Sequence, residues 1–239
     1  MRCGRALSPP APSGVVATGV ALAFALATLL CAAPAKADGE VWIWAETRLP
    51  IMRKDTPSYG RLDWRIFTDF RMNKRSEGLG QAFLRTGPLL YASDFLFVAL
   101  HGTVYSDRLA SGKHETEGRL ELEPNFFGRL GDFTFNDRNR LESRWRNDDQ
   151  RFRYRNQARI NYAPSGAKWI PFAWDEVLVD LAGLGLNQNR LEFGLGRLLD
   201  ATTRLDLGYM IRSREAAGTW THDHVLNLSL YYDVPRTSR

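Results

Sequence analysis

Between residues 137 and 162 the chain alternates charged and bulky side chains with a period of two, and that period belongs to β-strands. Arg138, Arg140, Glu142, Arg144 and Arg146 share one parity, while Asn139, Leu141, Ser143 and Trp145 share the other. Beyond a polar turn, Asn147-Asp148-Asp149-Gln150, the residues Arg151, Arg153, Arg155, Gln157 and Arg159 alternate with Phe152, Tyr154, Asn156, Ala158 and Ile160. Placing Arg146 opposite Arg151 sets Trp145 against Phe152 and Glu142 against Arg155. A single register thus aligns a charged face with an apolar one, as a hairpin must.

The same alternation recurs along the chain. Leu62, Trp64, Ile66, Phe70 and Met72 oppose Arg61, Asp63, Arg65, Asp69 and Arg71, with Phe67 and Thr68 as the breaks. Glu115, Glu117, Arg119, Glu121 and Glu123 alternate with Thr116, Gly118, Leu120 and Leu122. Around residues 189–212 an apolar set (Leu191, Phe193, Leu195, Leu205, Leu207, Tyr209, Ile211) faces away from Arg190, Glu192, Arg204 and Asp206. Residues 169–179 are apolar at both parities, so their sidedness is not readable. No long helix is evident after Asp38. About eleven strands of roughly ten residues, joined by hairpin-length turns, predict an all-β, antiparallel up-and-down sheet.

The first 37 residues read differently. Arg2 and Arg5 precede an apolar run at 15–33, and Ala35-Lys36-Ala37 supplies a small-x-small cleavage pattern. The expectation is an export signal at 1–37, cleaved after Ala37, ahead of one domain at 38–239; an uncleaved membrane anchor is the alternative. Cys31 follows Thr28-Leu29-Leu30, which lacks the small residues an acylated cysteine would need. Both cysteines, Cys3 and Cys31, would leave with the signal, and so would Arg2, Arg5 and Lys36. The formal charge of +5 falls to +2. That is too little basic excess for a nucleic-acid partner, and with no thiol left there is no disulfide or thiolate metal site.

Alternation alone does not separate a soluble sandwich or barrel, apolar inside, from a membrane barrel, apolar outside. Strand length sufficient to cross a tilted bilayer favours the membrane barrel. So do polar faces built of Arg with Glu and Asp, which suit a confined ion-pair network, and aromatics near strand ends: Trp42, Trp44, Trp145, Phe152, Tyr162, Trp169, Tyr209 and Tyr232. The run Asn136-Asp137-Arg138-Asn139-Arg140-Leu141-Glu142-Ser143-Arg144, with Phe152-Arg153-Tyr154-Arg155, resembles a family of Gram-negative outer-membrane barrels known as domain of unknown function 2490. Pro171-Phe172 with Glu176, Asn187-Gln188-Asn189-Arg190-Leu191, Gly194-Leu195-Gly196, Leu207-Gly208-Tyr209-Met210 and His224-Val225-Leu226 extend the resemblance. It implies a small outer-membrane β-barrel, in contact with outer-membrane lipids and inserted by the barrel assembly machinery, and brings no catalytic residues. Bacterial single-chain barrels have even strand numbers. The expectation is therefore ten strands, with residues 42–48 outside the barrel, or twelve, with a further strand at 126–135. Reading the short connections at 92–94 and 199–203 as periplasmic turns favours ten.

In such a barrel the charged parity lines the lumen. Opposed Arg146–Arg151 and Arg144–Arg153 pairs would repel, so the arginines need anions. Asp148 and Asp149 in the turn, Glu115, Glu117, Glu121 and Glu123 on the preceding strand, and Asp63, Glu176 and Glu192 farther round are the candidates. The predicted lumen network is Arg138, Arg140, Glu142, Arg144, Arg146, Arg151, Arg153, Arg155, Arg159, Glu115, Glu117, Glu121, Glu123, Glu176, Arg190 and Glu192, with a basic bias near the turn at 147–150. It either fills the barrel or borders a narrow path for anions. No cofactor or metal is expected: His222 and His224 have only Asp223 beside them, and Gly183-Leu184-Gly185 opens no helix. A lipid hydrolase is the competing class. Its ingredients would be His222 or His224 with Ser213 or Ser229, but His224 and Ser229 differ by five positions and face opposite ways on a strand. The expectation is a protein that is not an enzyme, with its specific role and oligomeric state open.

Overall fold

The computed structural model describes residues 39–51, 60–72, 78–109, 111–147, 149–183 and 185–235. The expected signal at 1–37, Lys54-Asp55-Thr56-Pro57 and the turn residue Asp148 lie outside the described residues. The strands are β1 (Glu40–Pro50), β2 (Leu62–Met72), β3 (Leu79–Tyr91), β4 (Leu96–Arg108), β5 (His114–Leu130), β6 (Phe133–Arg146), β7 (Asp149–Tyr162), β8 (Trp169–Asp180), β9 (Gly185–Leu198), β10 (Thr203–Ala216) and β11 (Thr219–Asp233). Each pairs antiparallel with the next, and β1 closes the ring on β11.

Eleven strands correct the expectation of ten or twelve. An even number is compulsory only if every neighbour is antiparallel, and here β1 and β11 run parallel through nine residue pairs, from Glu40↔Val225 to Arg48↔Asp233. Residues 42–48 are therefore inside the ring. Residues 126–135 add no strand of their own: β5 runs to Leu130 and β6 starts at Phe133 after a two-residue turn with Gly131 at φ 58°.

The arginine hairpin is also tighter than expected. Arg146 faces Asp149, Trp145 faces Gln150 and Glu142 faces Arg153. Asn147 adopts φ 52°, the left-handed conformation that a two-residue hairpin demands and that asparagine tolerates. The shift is by two residues, so every side chain keeps its face. Arg144 now opposes Arg151, and Arg140 opposes Arg155.

Polarity is inverted relative to a soluble domain. Leu84, Leu100, Leu120, Leu122, Leu141, Leu195, Leu207 and Leu226 point outward and are exposed, while Arg140, Glu121, Glu123, Glu142 and Glu176 are fully buried inside. Outward aromatics gather at both ends: Trp64, Phe95, Phe133, Tyr162 and Trp169 at one, Trp145, Phe152 and Trp220 at the other. Trp42 and Trp44 depart from the expected girdle. Their pairing with Asn227 and Ser229 turns them into the lumen, where Trp42 is buried.

The β3–β4 ladder is interrupted. Pairs run to Thr86↔Gly102 and resume at Leu89↔Ala99, because Pro88 has no N–H to give. A Cβ on Gly87 would collide with the Leu100 carbonyl oxygen and crowd the His101 backbone. Gly87→Ala is therefore expected to cost about 1–3 kcal/mol through forced strand separation. The test is the urea midpoint of the barrel refolded in detergent, and an unchanged midpoint would show that these strands yield freely.

Candidate functional site

Inward acids and arginines form clusters of ion pairs, the largest of them around Glu117, Glu121, Glu123, Glu142 and Glu176. The elementary unit of this lattice is an acid and an arginine two residues apart on one strand, which share a face. Glu46–Arg48 (2.7 Å), Arg61–Asp63 (3.0 Å), Asp69–Arg71 (2.9 Å) and Glu117–Arg119 (2.5 Å) are built this way, as is Arg204–Asp206 (2.5 Å). Across strands the units merge at carboxylate hubs. Glu176 accepts from Arg138 Nη2 (2.7 Å), Arg155 Nη2 (2.7 Å) and Arg190 Nη1 (3.1 Å). Glu123 accepts from Arg65 Nη1 (2.8 Å) and Arg140 Nε (2.6 Å). Glu142 accepts from Arg155 Nη1 (2.9 Å).

At the end of the barrel that carries Asn147 and the turn at 217–218, further ion pairs join neighbouring strands. There Glu117 accepts from Arg144 Nε (2.7 Å) and Arg146 Nε (3.1 Å), and Glu115 from Arg146 Nη1 (2.9 Å). On β10, β11 and β1, Asp223 accepts from Arg212 Nη2 (2.7 Å) and Arg214 Nη2 (2.5 Å), and Glu40 from Arg212 Nη2 (2.6 Å). Buried ion pairs offset their desolvation only when geometry is good and the remaining lone pairs are met. The shared, often bidentate arginine contacts supply that.

Most of the expected network is brought together. Arg138, Arg140, Glu142, Arg144, Arg146, Arg155, Glu115, Glu117, Glu121, Glu123, Glu176 and Arg190 belong to the largest cluster, while Arg159 is in a separate one with Asp206 (2.6 Å), Arg204 and Tyr231 (2.9 Å). Three residues sit differently. Arg151 is exposed at the turn, paired with Asp149 at 2.7 Å. Arg153 keeps a buried Nε without a hydrogen-bond partner. Glu192 is buried but meets Asn227 Nδ2 (2.8 Å) instead of an arginine. Arg65, Arg85, Glu46 and Asp206 were missed as partners. The signal available for Glu46 and Asp206 was the acid–x–arginine spacing within one strand.

Above the lattice a cavity of about 880 Å³ reaches the opposite end, where Asp94, Arg129 and Asp200 lie on the rim. This places the open mouth away from the turn at 147–150. Guanidinium groups predominate among the charged groups on its surface, and many are held from behind by buried carboxylates: Arg65 and Arg140 by Glu123, Arg85 by Glu121, Arg159 and Arg204 by Asp206. One side is aromatic: Tyr231, Trp44, Phe67 and Phe83 line it across β11, β1, β2 and β3, and Tyr105 on β4 continues the arc beyond the cavity, with successive ring centroids 4.7, 5.0, 5.5 and 5.7 Å apart. The arc crosses the parallel seam. Arg85 stands over the Phe67 and Phe83 rings at 5.2 and 5.3 Å, and Arg71 over Trp42 at 3.7 Å.

The strands that carry the hubs are the ones whose sequence resembles a known barrel family, and the comparison with family models decides the matter. Residues 41–223 match the family described as protein of unknown function, DUF2490. The chain belongs to this family. No curated protein matches it. The DUF2490 match begins in β1 and ends in β11, so it spans the whole ring with its lattice and cavity.

Other chemistry-bearing residues are accounted for as follows. Ser213 Oγ and His222 Nδ1 meet across β10–β11 at 2.9 Å on the outer face. Tyr209 with His224 (2.5 Å) and Ser106 with His114 (3.2 Å) form two more hydroxyl–histidine contacts. Asp223 points inward to Arg212 and Arg214, away from both outer histidines. Ser229 is buried in the lumen, opposite in facing to His224. Among the described residues, one group of metal-ligating types converges: His101, Glu121 and Glu123, with ligand atoms within 4.8 Å of one another. Arg85 holds Glu121 at 2.7 Å, and Arg65 and Arg140 hold Glu123, so a cation there would have to displace three guanidiniums.

Proposed function

We propose that this DUF2490 chain is an integral outer-membrane β-barrel whose lumen is a closed-ended cup for an anionic ligand. The observation that carries the membrane reading is the inverted polarity, leucines outward and ion pairs inward, which is stable only in an apolar solvent. Strands of 11 to 17 residues meet or exceed the nine to eleven or so that a tilted crossing needs. The residues at 1–37 would direct export and be removed after Ala37, outer-membrane lipids would contact the leucine belt, and the barrel assembly machinery would insert the chain.

The cup reading rests on the lattice at one end and the basic cavity at the other. Anions entering from the mouth meet an excess of guanidinium groups in a low-dielectric wall, where charge-assisted hydrogen bonds are strong. The aromatic arc favours an anion that also carries a flat apolar part. Three measurements test this. Membrane-extracted protein should migrate faster on SDS gels unheated than boiled, and in planar bilayers it should give no discrete conductance steps. Titration with phenyl phosphate should quench tryptophan fluorescence, from Trp44 on the arc, where neutral phenol at the same concentration does not. Equal quenching by both would remove the anion preference, and a soluble periplasmic protein without a heat shift would remove the membrane.

A further inference from the structure

We propose that Arg138 and Gln157 anchor the ligand of the cavity, and that they take the carboxylate of a flat, apolar acid carrying a single negative charge. The inference rests on the cup reading above and names its ligand class. It starts from hydrogen-bonding groups left over on the lumen wall. Arg138 on β6 pairs with Gln157 on β7, Gln157 with Glu176 on β8 and Glu176 with Arg190 on β9, and all four line the cavity. Arg138 gives Nη2 to Glu176 at 2.7 Å, and among the described residues its Nε and Nη1 have no partner. Among the same residues the Gln157 amide has no hydrogen-bond partner at all. Neighbouring guanidiniums are already engaged. Arg155 gives Nε and Nη2 to Glu176 and Nη1 to Glu142, and Arg159 gives its three nitrogens to Asn161, Tyr231 and Asp206. Spare donors that open on a cavity are the groups that fix a ligand's orientation there.

The charge at this point of the wall sets the charge of the ligand. Glu176 is shared by Arg138, Arg155 and Arg190, and of the three only Arg155 has a second acid, Glu142, among the described residues. Arg119 and Arg140, which also approach Glu142, are held by Glu117 and Glu123. Three guanidiniums thus face two carboxylates, and one positive charge is left over. A singly charged anion cancels it, whereas a dianion would leave net negative charge beside buried carboxylates in a low-dielectric wall. A carboxylate can accept from Arg138 with one oxygen and from Gln157 Nε2 with the other.

The flat body follows from the opposite wall. In a closed ring of eleven strands, β7 stands across the lumen from β1 and β2, which carry Trp44 and Phe67 of the aromatic arc. Arg190, in the row of Arg138 and Gln157, lies 5.1 Å from the Trp42 ring, and Trp42 is the inward neighbour of Trp44 on β1. The row and the arc therefore lie at neighbouring heights. A ligand held by its carboxylate on Arg138 and Gln157 directs its body towards aromatic rings.

The test is isothermal titration calorimetry of membrane-extracted protein in detergent micelles, with benzoate and phenyl phosphate at pH 8. A phosphomonoester is a dianion there, because its second pKa is about 6. Benzoate should bind more tightly than phenyl phosphate. Arg138→Gln should lower the benzoate affinity about tenfold or more, the loss expected for a charge-assisted hydrogen bond. Gln157→Leu should lower it as well, and both variants should keep the heat-modifiable mobility of the wild type. Arg197→Gln, on the outer face against Trp169, should bind benzoate as the wild type does. Wild-type benzoate affinity in Arg138→Gln overturns the anchor, and if that variant loses its mobility, Gln157→Leu decides in the same way. Phenyl phosphate bound more tightly than benzoate overturns the single charge. Both results leave the cup standing, since an anion still binds. Binding of neither anion overturns the cup reading, and the anchor with it.

Discussion

Glu176→Ala is expected to cost the barrel about 3–5 kcal/mol, the range for breaking a buried ion pair by removing one partner. The carboxylate is 1% exposed and is shared by Arg138, Arg155 and Arg190. Arg155 retains Glu142, but Arg138 and Arg190 line the cavity and would be left as uncompensated cations. Glu176→Gln, which keeps the volume and an acceptor oxygen, should cost less. Phosphate should restore part of the alanine variant's loss and act less on the wild type, because an anion that binds only the folded barrel stabilises it by mass action. The measurement is the urea midpoint in detergent with and without phosphate. A variant as stable as the wild type would show that water in the cavity solvates these guanidiniums well enough without the carboxylate.

Glu117→Ala is expected to turn a silent barrel into an anion-selective conductor. Glu117 gathers Arg119 of its own strand and Arg144 and Arg146 of neighbouring β6 on the lumen wall, at the end away from the cavity mouth. Without it the three cations repel and swing apart, leaving a path lined by positive charge. Planar-bilayer recording distinguishes the outcomes. Steps with chloride over potassium preference in the variant, and none in the wild type, match the expectation. Silence in both would mean that Arg212, Asp223 and Trp42 suffice to close the barrel.

Much of this lattice was legible beforehand, and its legible part has a simple cause. A strand puts residues two apart on one face whatever its neighbours do. The spacing in Glu117-x-Arg119 and Asp69-x-Arg71 therefore encodes contacts directly, and the acidic strand from Glu115 to Glu123 was identifiable as the counterpart of the arginine hairpin. Contacts between distant strands were not legible. That Glu176 gathers Arg138, Arg155 and Arg190 depends on the heights at which β6, β7, β8 and β9 are set, and nothing local states those heights. Residues 169–179 illustrate the limit. Trp169, Pro171 and Ala173 are as apolar as Ile170, Phe172 and Trp174, so only pairing with β7 and β9 tells which set enters the lumen.

Alternation by itself determined that the chain is all β, which parity carries charge, and that the arginines require acids on neighbouring strands. These are properties of the single strand and of the hairpin. Tertiary structure alone decided that the ring closes with eleven strands, because the orientation of β1 against β11 is a contact between opposite ends of the sheet and leaves no periodic trace. It also decided at which end the cavity opens, and that Trp44 joins an aromatic arc across that seam instead of an outer girdle. The opening hairpin shows both sides of the division: its faces follow from parity, whereas its register, slipped by two residues, follows from a turn geometry that Asn147 permits and only the closed barrel selects.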